Sequence, residues 1–124
     1  MKTGFLNKAK ENLKVSESYF DNGFYDACAN RAYYAAFQLA IAALADKGIK
    51  SDINDHKWVQ ATFSSNLIKK SKVYPGKLKS YLMDMQTIRN QADYTSENIS
   101  KRLASQQLSK AKEMVELIEK ELSK

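Results

Sequence analysis

Arg89 is the residue whose placement most needs a chemical reason. It opens the run Arg89-Asn90-Gln91-Ala92-Asp93-Tyr94 and lies four residues after Met85 and seven after Leu82, in phase with an apolar stripe. A guanidinium on a core-facing line is costly unless it meets a partner. Asp93, one helical turn on, is one such partner, and reaching past the core to the bundle's edge is another solution. Neither needs a ligand. His56 is the only histidine, and an imidazole is the side chain that titrates near neutral pH. Gln38 is the one polar side chain between Ala32 and Ala45, where a buried amide requires hydrogen-bond partners.

Several chemistries drop out. One Cys, Cys28, and one His exclude a structural zinc site, and Cys28 reads as a small buried apolar residue. A chain without a possible internal disulfide fits a reducing cytosol, and no basic start followed by a long apolar run marks a secretory signal. The serines lack a His–acid arrangement for a hydrolase, and there is no Gly-rich phosphate loop. No cofactor is implied. The balance of 20 Lys+Arg against 14 Asp+Glu, net +6, suits a nucleic-acid or nucleotide partner, and equally a Lys-rich soluble surface.

The elements that must carry these residues are helices. With 124 residues, 44% apolar and 27% charged, the chain is one domain spanning 1–124 with a core of its own. One Pro and four Gly are too few for a loop-rich or all-β design. The segment 31–45 is apolar all round, so it is enclosed on every side; it is too short to span a membrane. Spacing predicts helices over Thr3 to Tyr19 or Phe20, Tyr25 to Lys47, His56 to Lys70, Lys77 to Tyr94 and Ser100 to Leu122. Gly23 and Gly48 end the first two, and Asn54 or Asp55 caps the third.

Short connections between long helices give an all-α, up-and-down bundle of four to five helices. Strict alternation of direction would place Lys47, Lys50, His56, Lys57, Lys101 and Arg102 at one pole with Arg89. A second cluster, Lys69, Lys70, Lys72, Lys77 and Lys79, falls at the other pole. Both suit phosphate.

The run Asn30-Arg-Ala-Tyr-Tyr-Ala-Ala-Phe37, the His-opened third helix and Ile88-Arg-Asn-Gln-Ala-Asp-Tyr94, in that order, resemble small stand-alone prokaryotic HEPN proteins. The resemblance implies a helical bundle that dimerises, with the ends of helix four meeting in a cleft. Active relatives are metal-independent ribonucleases, often toxins, with a motif of Arg, a polar residue, a short gap and His. Such toxins pair with a small nucleotidyltransferase as antitoxin. Arg89 matches the motif Arg and Asn90 the polar position after it, while Tyr94 stands where His belongs.

That departure has consequences. Metal-free RNA cleavage needs a base for the 2′-hydroxyl proton, and a phenol with a reference pKa of ~10 is a poor base at pH 7, though it donates well. Arg89 could still hold a phosphate of RNA or a nucleotide by a bidentate contact. His56, placed at the same pole, is the one possible replacement imidazole, against the commoner role of a capping or surface His. Gln38 is read as orienting Arg89, lying at a dimer seam or making a simple core hydrogen bond. Tyr33 and Tyr34 are neighbours, so only one can point fully inward; both are read as core packing. On an ideal helix, Arg89 and Tyr94 lie ~140° apart, so they need not face each other within one chain.

Overall fold

The apolar stretch at residues 31–45 does enclose itself. In the computed structural model, which describes residues 1–50 and 55–124, it forms the middle of α2 (Tyr25–Asp46). From Ala32 to Leu44 only Tyr34 and Gln38 are less than buried. The runs of Ala let neighbouring helices come close, while Tyr33, Phe37, Leu39 and Leu44 fill the space between them. The helices of one chain cover this surface. Because α2 has no free side, Ala40→Leu, at a position 0% exposed, has nowhere to put its extra atoms. Such over-packing is expected to lower the unfolding free energy by about 1–3 kcal/mol in urea denaturation. A change within the roughly ±0.5 kcal/mol of a surface substitution would show that α2 is not enclosed.

Around α2 lie α1 (Lys2–Asp21), α4 (Lys77–Tyr94) and α5 (Lys101–Leu122), with α3 (His56–Thr62) running into a π-helical segment (Phe63–Lys70). Gly23 (φ +80°) and Gly48 (φ +75°) end α1 and α2 in the left-handed conformation, as anticipated. At Gly23 the amide bonds the Phe20 carbonyl and Phe24 N–H bonds that of Tyr19. Asp55 caps α3 by accepting from Trp58 N–H at 2.8 Å; Asn54, the other predicted cap, lies outside the described residues. Ser100 caps α5 in the same way through Leu103 N–H.

The third helix departs from expectation. A single α-helix over 56–70 was predicted, yet its second half is wound as a π-helix. Asn66 offers a local reason: its side-chain amide takes the Thr62 carbonyl at 3.2 Å, which in an α-helix would serve the Asn66 backbone N–H. The Asn66 carbonyl in turn accepts from both Ser71 N–H and Ser71 Oγ.

Directions also differ. Asn30 of α2 meets Asp93 of α4, Lys2 of α1 meets Asp46 of α2, Lys47 reaches Glu121 of α5, and Lys77 of α4 meets Glu113 of α5. So α1 and α4 run one way, α2 and α5 the other. α3 and its π extension do not cross the whole bundle, and α4 is therefore antiparallel to α2 rather than parallel. Lys47, among the acids Asp46 and Glu121, and Lys50, beside Met1 and Leu44, stand at the end of the bundle away from Arg89. The predicted gathering of both at the Arg89 pole is thereby corrected. Among the described residues no helix is long and apolar enough to cross a membrane.

Candidate phosphate site at the end of α4

The last two turns of α4 lie against the first half of α2, and this contact places Arg89. Its side chain is 13% exposed. Nη2 donates to Tyr34 Oη at 2.8 Å and, more loosely, to Tyr94 Oη at 3.4 Å; Nη1 reaches Asn90 Oδ1 at 3.3 Å. Nε forms an ion pair with Asp93 Oδ2 at 2.9 Å, but its N–H is not aimed at that oxygen, so the contact is one of charge rather than a hydrogen bond. The guanidinium carbon also lies 5.2 Å from the Tyr34 ring centre, 5.4 Å from Tyr94 and 5.9 Å from Tyr33, inside the ~6 Å reach of a cation–π contact. Three tyrosines and one carboxylate thus solvate a cation that the apolar stripe brings inward.

Arg89 and Tyr94 meet within one chain despite their five-residue separation. Both side chains are long, and the helix stops directly after Tyr94, where Thr95 takes an extended conformation. The tyrosine ring can fold back along the last turn without meeting another. It stays 72% exposed.

A polar chain continues outward from Asp93. Asn30 donates to Asp93 Oδ2 at 2.9 Å, Arg31 Nε donates to Asn30 Oδ1 at 2.9 Å, and Asn12 Oδ1 accepts from Arg31 Nη1 at 3.4 Å. The Arg31 guanidinium lies 5.3 Å from the same Tyr34 ring that Arg89 uses. Gln38 ends this chain, accepting from Asn12 Nδ2 at 2.7 Å. Gln38 therefore faces α1, and the expectation that it orients Arg89 directly is corrected; α2 turns its i+7 face, carrying Arg31 and Gln38, away from α4.

His56 does join the cluster. Its Nδ1 is 2.6 Å from Tyr33 Oη, and its ring stacks on Phe37 at 4.3 Å and meets the edge of Tyr34 at 6.0 Å. Gln60 Nε2 donates to Tyr33 Oη at 3.1 Å and to Gln86 Oε1 at 2.6 Å. Burial pushes the Tyr33 phenol up to about 12, so it keeps its proton at neutral pH. The Tyr33 hydroxyl and His56 Nδ1 share one hydrogen, so that ring nitrogen is occupied whichever of the two donates.

Burial, and after it the positive charge of Arg89, holds His56 below its usual pKa of 6.5. The sign for stability follows. The unfolded chain takes up the proton more readily than the folded one, so this contribution is complete above pH 6.5 and drains away as pH falls below it toward the folded value. Urea unfolding at pH 7.5 and pH 5.5 is expected to show a larger loss at the lower pH for the wild type than for His56→Gln. Equal losses would mean that the ring is not held neutral by this packing.

Of the residues singled out in the sequence, the fold brings together Arg89, Asn90, Asp93, Tyr94 and His56. Lys57 and Arg102 are exposed, and among the described residues neither meets this cluster by hydrogen bond or ion pair. Tyr34, Asn30 and Arg31 belong to the site and were read otherwise or passed over. The signal was their spacing: Asn30 and Tyr34 stand at i, i+4 on one face of α2, the face that the end of α4 covers.

Comparison with known proteins bears on this arrangement. The family model for the HEPN domain matches residues 4–122. A putative toxin of Methanocaldococcus jannaschii is 30% identical over 89 residues, which make up 72% of this chain and 58% of that protein. The match thus takes in little more than half the length of that relative.

Proposed function

The chain belongs to the HEPN domain family, and from that premise we propose that it is a toxin-like member that holds a phosphate of RNA or a nucleotide at Arg89 without cutting it. The observation that supports this most is the uneven grip on the guanidinium. The contacts to Tyr34 and Asp93 are short, at 2.8 and 2.9 Å, while those to Asn90 and Tyr94 are long, at 3.3 and 3.4 Å. A phosphate oxygen can replace the two weak contacts and leave the Tyr34 hydrogen bond and the Asp93 charge to hold the fork in place. The exposed Tyr94 ring beside it offers a face for a base.

Binding without cleavage rests on the missing base. Tyr94 stands at the position of the family's His, and its phenol is suited to donate rather than to accept a 2′-hydroxyl proton. His56 supports the competing reading of an active ribonuclease because it sits among the same tyrosines. Its Nδ1 is taken up by Tyr33 Oη at 2.6 Å and its ring is stacked on Phe37, which speaks against that role. A second copy of the chain, or a nucleotidyltransferase partner, would dock at the same end, over Tyr94.

The test is a titration of a labelled 12-nucleotide single-stranded RNA in EDTA, with the RNA run on a gel afterwards. The reading expects saturable binding that weakens with salt, by about 0.7 log units per log unit of salt for each phosphate held, and intact RNA. Absence of any salt-dependent binding would remove it.

A further inference from the structure

We propose that the hollow between the π segment and α4 is a second ligand site, built for a small phosphate monoester carrying a flat apolar group. Its volume is about 380 Å³, inside the range of roughly 300–1,000 Å³ typical of small-molecule pockets. Gln60, Ser64 and Lys69 line one wall, Lys79, Leu82 and Met83 the other. The winding explains the first wall. In a π-helix, bonded i to i+5, residues four and five apart return to one face, so Ser64 and Lys69 both line the hollow. In an α-helix a five-residue separation would turn them ~140° apart.

Three observations identify the ligand class. Lys69 and Lys79 face the hollow from opposite walls, and among the described residues neither lies within 4.0 Å of a carboxylate; nearby Lys77 and Lys110 are paired with Glu113 and Asp84. Two uncompensated ammonium groups across one gap fit a doubly charged anion. Ser64 is 6% exposed, and its Oγ has no hydrogen-bond partner among the described residues. A buried hydroxyl without a partner is rare, and rotation of the Ser64 side chain toward the hollow it lines lets a phosphate oxygen supply one. The floor is apolar: Leu82 is fully buried, and Met83, 53% exposed, is an adaptable thioether wall that suits a flat ring. This site shares no lining residue with the Arg89 guanidinium, although Gln60 touches both the hollow and Tyr33.

The probe is phenyl phosphate, followed by methyl NMR of Leu82 and Met83, with phenol and inorganic phosphate as its separate halves. Saturable shifts at both residues are expected, with phenyl phosphate binding tighter than either half. Lys69→Gln with Lys79→Gln, both exposed and so harmless to folding, is expected to weaken binding about tenfold or more, and Ser64→Ala a few-fold. Retention of these shifts in Arg89→Ala supports a site separate from α4's end. The proposal is overturned if Leu82 and Met83 do not respond, if the double Lys variant binds as well as wild type, if phenol binds equally, or if Arg89→Ala abolishes the shifts.

Discussion

Arg89→Ala is expected to weaken binding of single-stranded RNA by about 10- to 100-fold while leaving the fold in place, since hydrogen bonds to a charged group contribute about 1.5–3 kcal/mol. The loss should be clean because its neighbours have other means of support. Asp93 keeps its bond from Asn30, and Tyr34 is half-buried, so water can replace the lost donor at its oxygen. Circular dichroism and urea unfolding are the controls. Arg89→Lys should fall between the two: it keeps the charge and loses the planar fork that grips Tyr34 and a phosphate oxygen together. An Arg89→Ala protein that binds RNA as tightly as wild type would show that Asp93 closes the site and that α4's end is a scaffold.

Tyr94→His is expected to raise metal-independent RNA cleavage by about 10²-fold over wild type, the lower end of what a well-placed general base contributes. Position 94 tolerates the change because its side chain is largely in water and does not contribute to the core. The phenol oxygen lies 3.4 Å from Arg89 Nη2, so an imidazole there would stand beside a phosphate bound by that guanidinium. The nearby positive charge favours the neutral ring, the form that accepts a proton. Cleavage should persist in EDTA, rise as pH passes the imidazole pKa, and vanish again when Arg89→Ala is added. RNA left intact by Tyr94→His would show that the departure at this position is not what limits catalysis.

Much of the architecture is legible in the residues, for reasons that are local. Gly23 and Gly48 mark helix ends through their left-handed backbone, Asp55 through its cap, and the Ala-rich run 32–45 its own burial. What was not legible depends on competition or on distance. The stripe Val59, Phe63, Leu67 repeats every four residues, a spacing that α- and π-winding both place on one face. Only the side-chain bond of Asn66 to Thr62 points to the difference. The shortened third element then leaves α4 antiparallel to α2, and the cation cluster expected at one pole divides between two.

The same distinction holds at the candidate site. Arg89 was legible because a charge in phase with an apolar stripe demands a partner, and Asp93 at i+4 supplies it. Tyr34, Asn30 and Arg31 were not, since their part depends on which turn of α2 the end of α4 covers. Gln38 was placed by the same unknown: one helix face over, it bonds Asn12 instead of reaching the guanidinium.

The central claim, that the Arg89 guanidinium receives a phosphate, is tested most directly by its own resonance. The chain has three arginines, Arg31, Arg89 and Arg102, so the Nε–Hε signals of a ¹⁵N spectrum can be assigned by three Arg→Lys variants. On titration with a diribonucleotide in EDTA, the Arg89 signal is predicted to shift and saturate, with exposed Arg102 unmoved. Saturable binding of the diribonucleotide with the Arg89 signal unchanged would contradict the account.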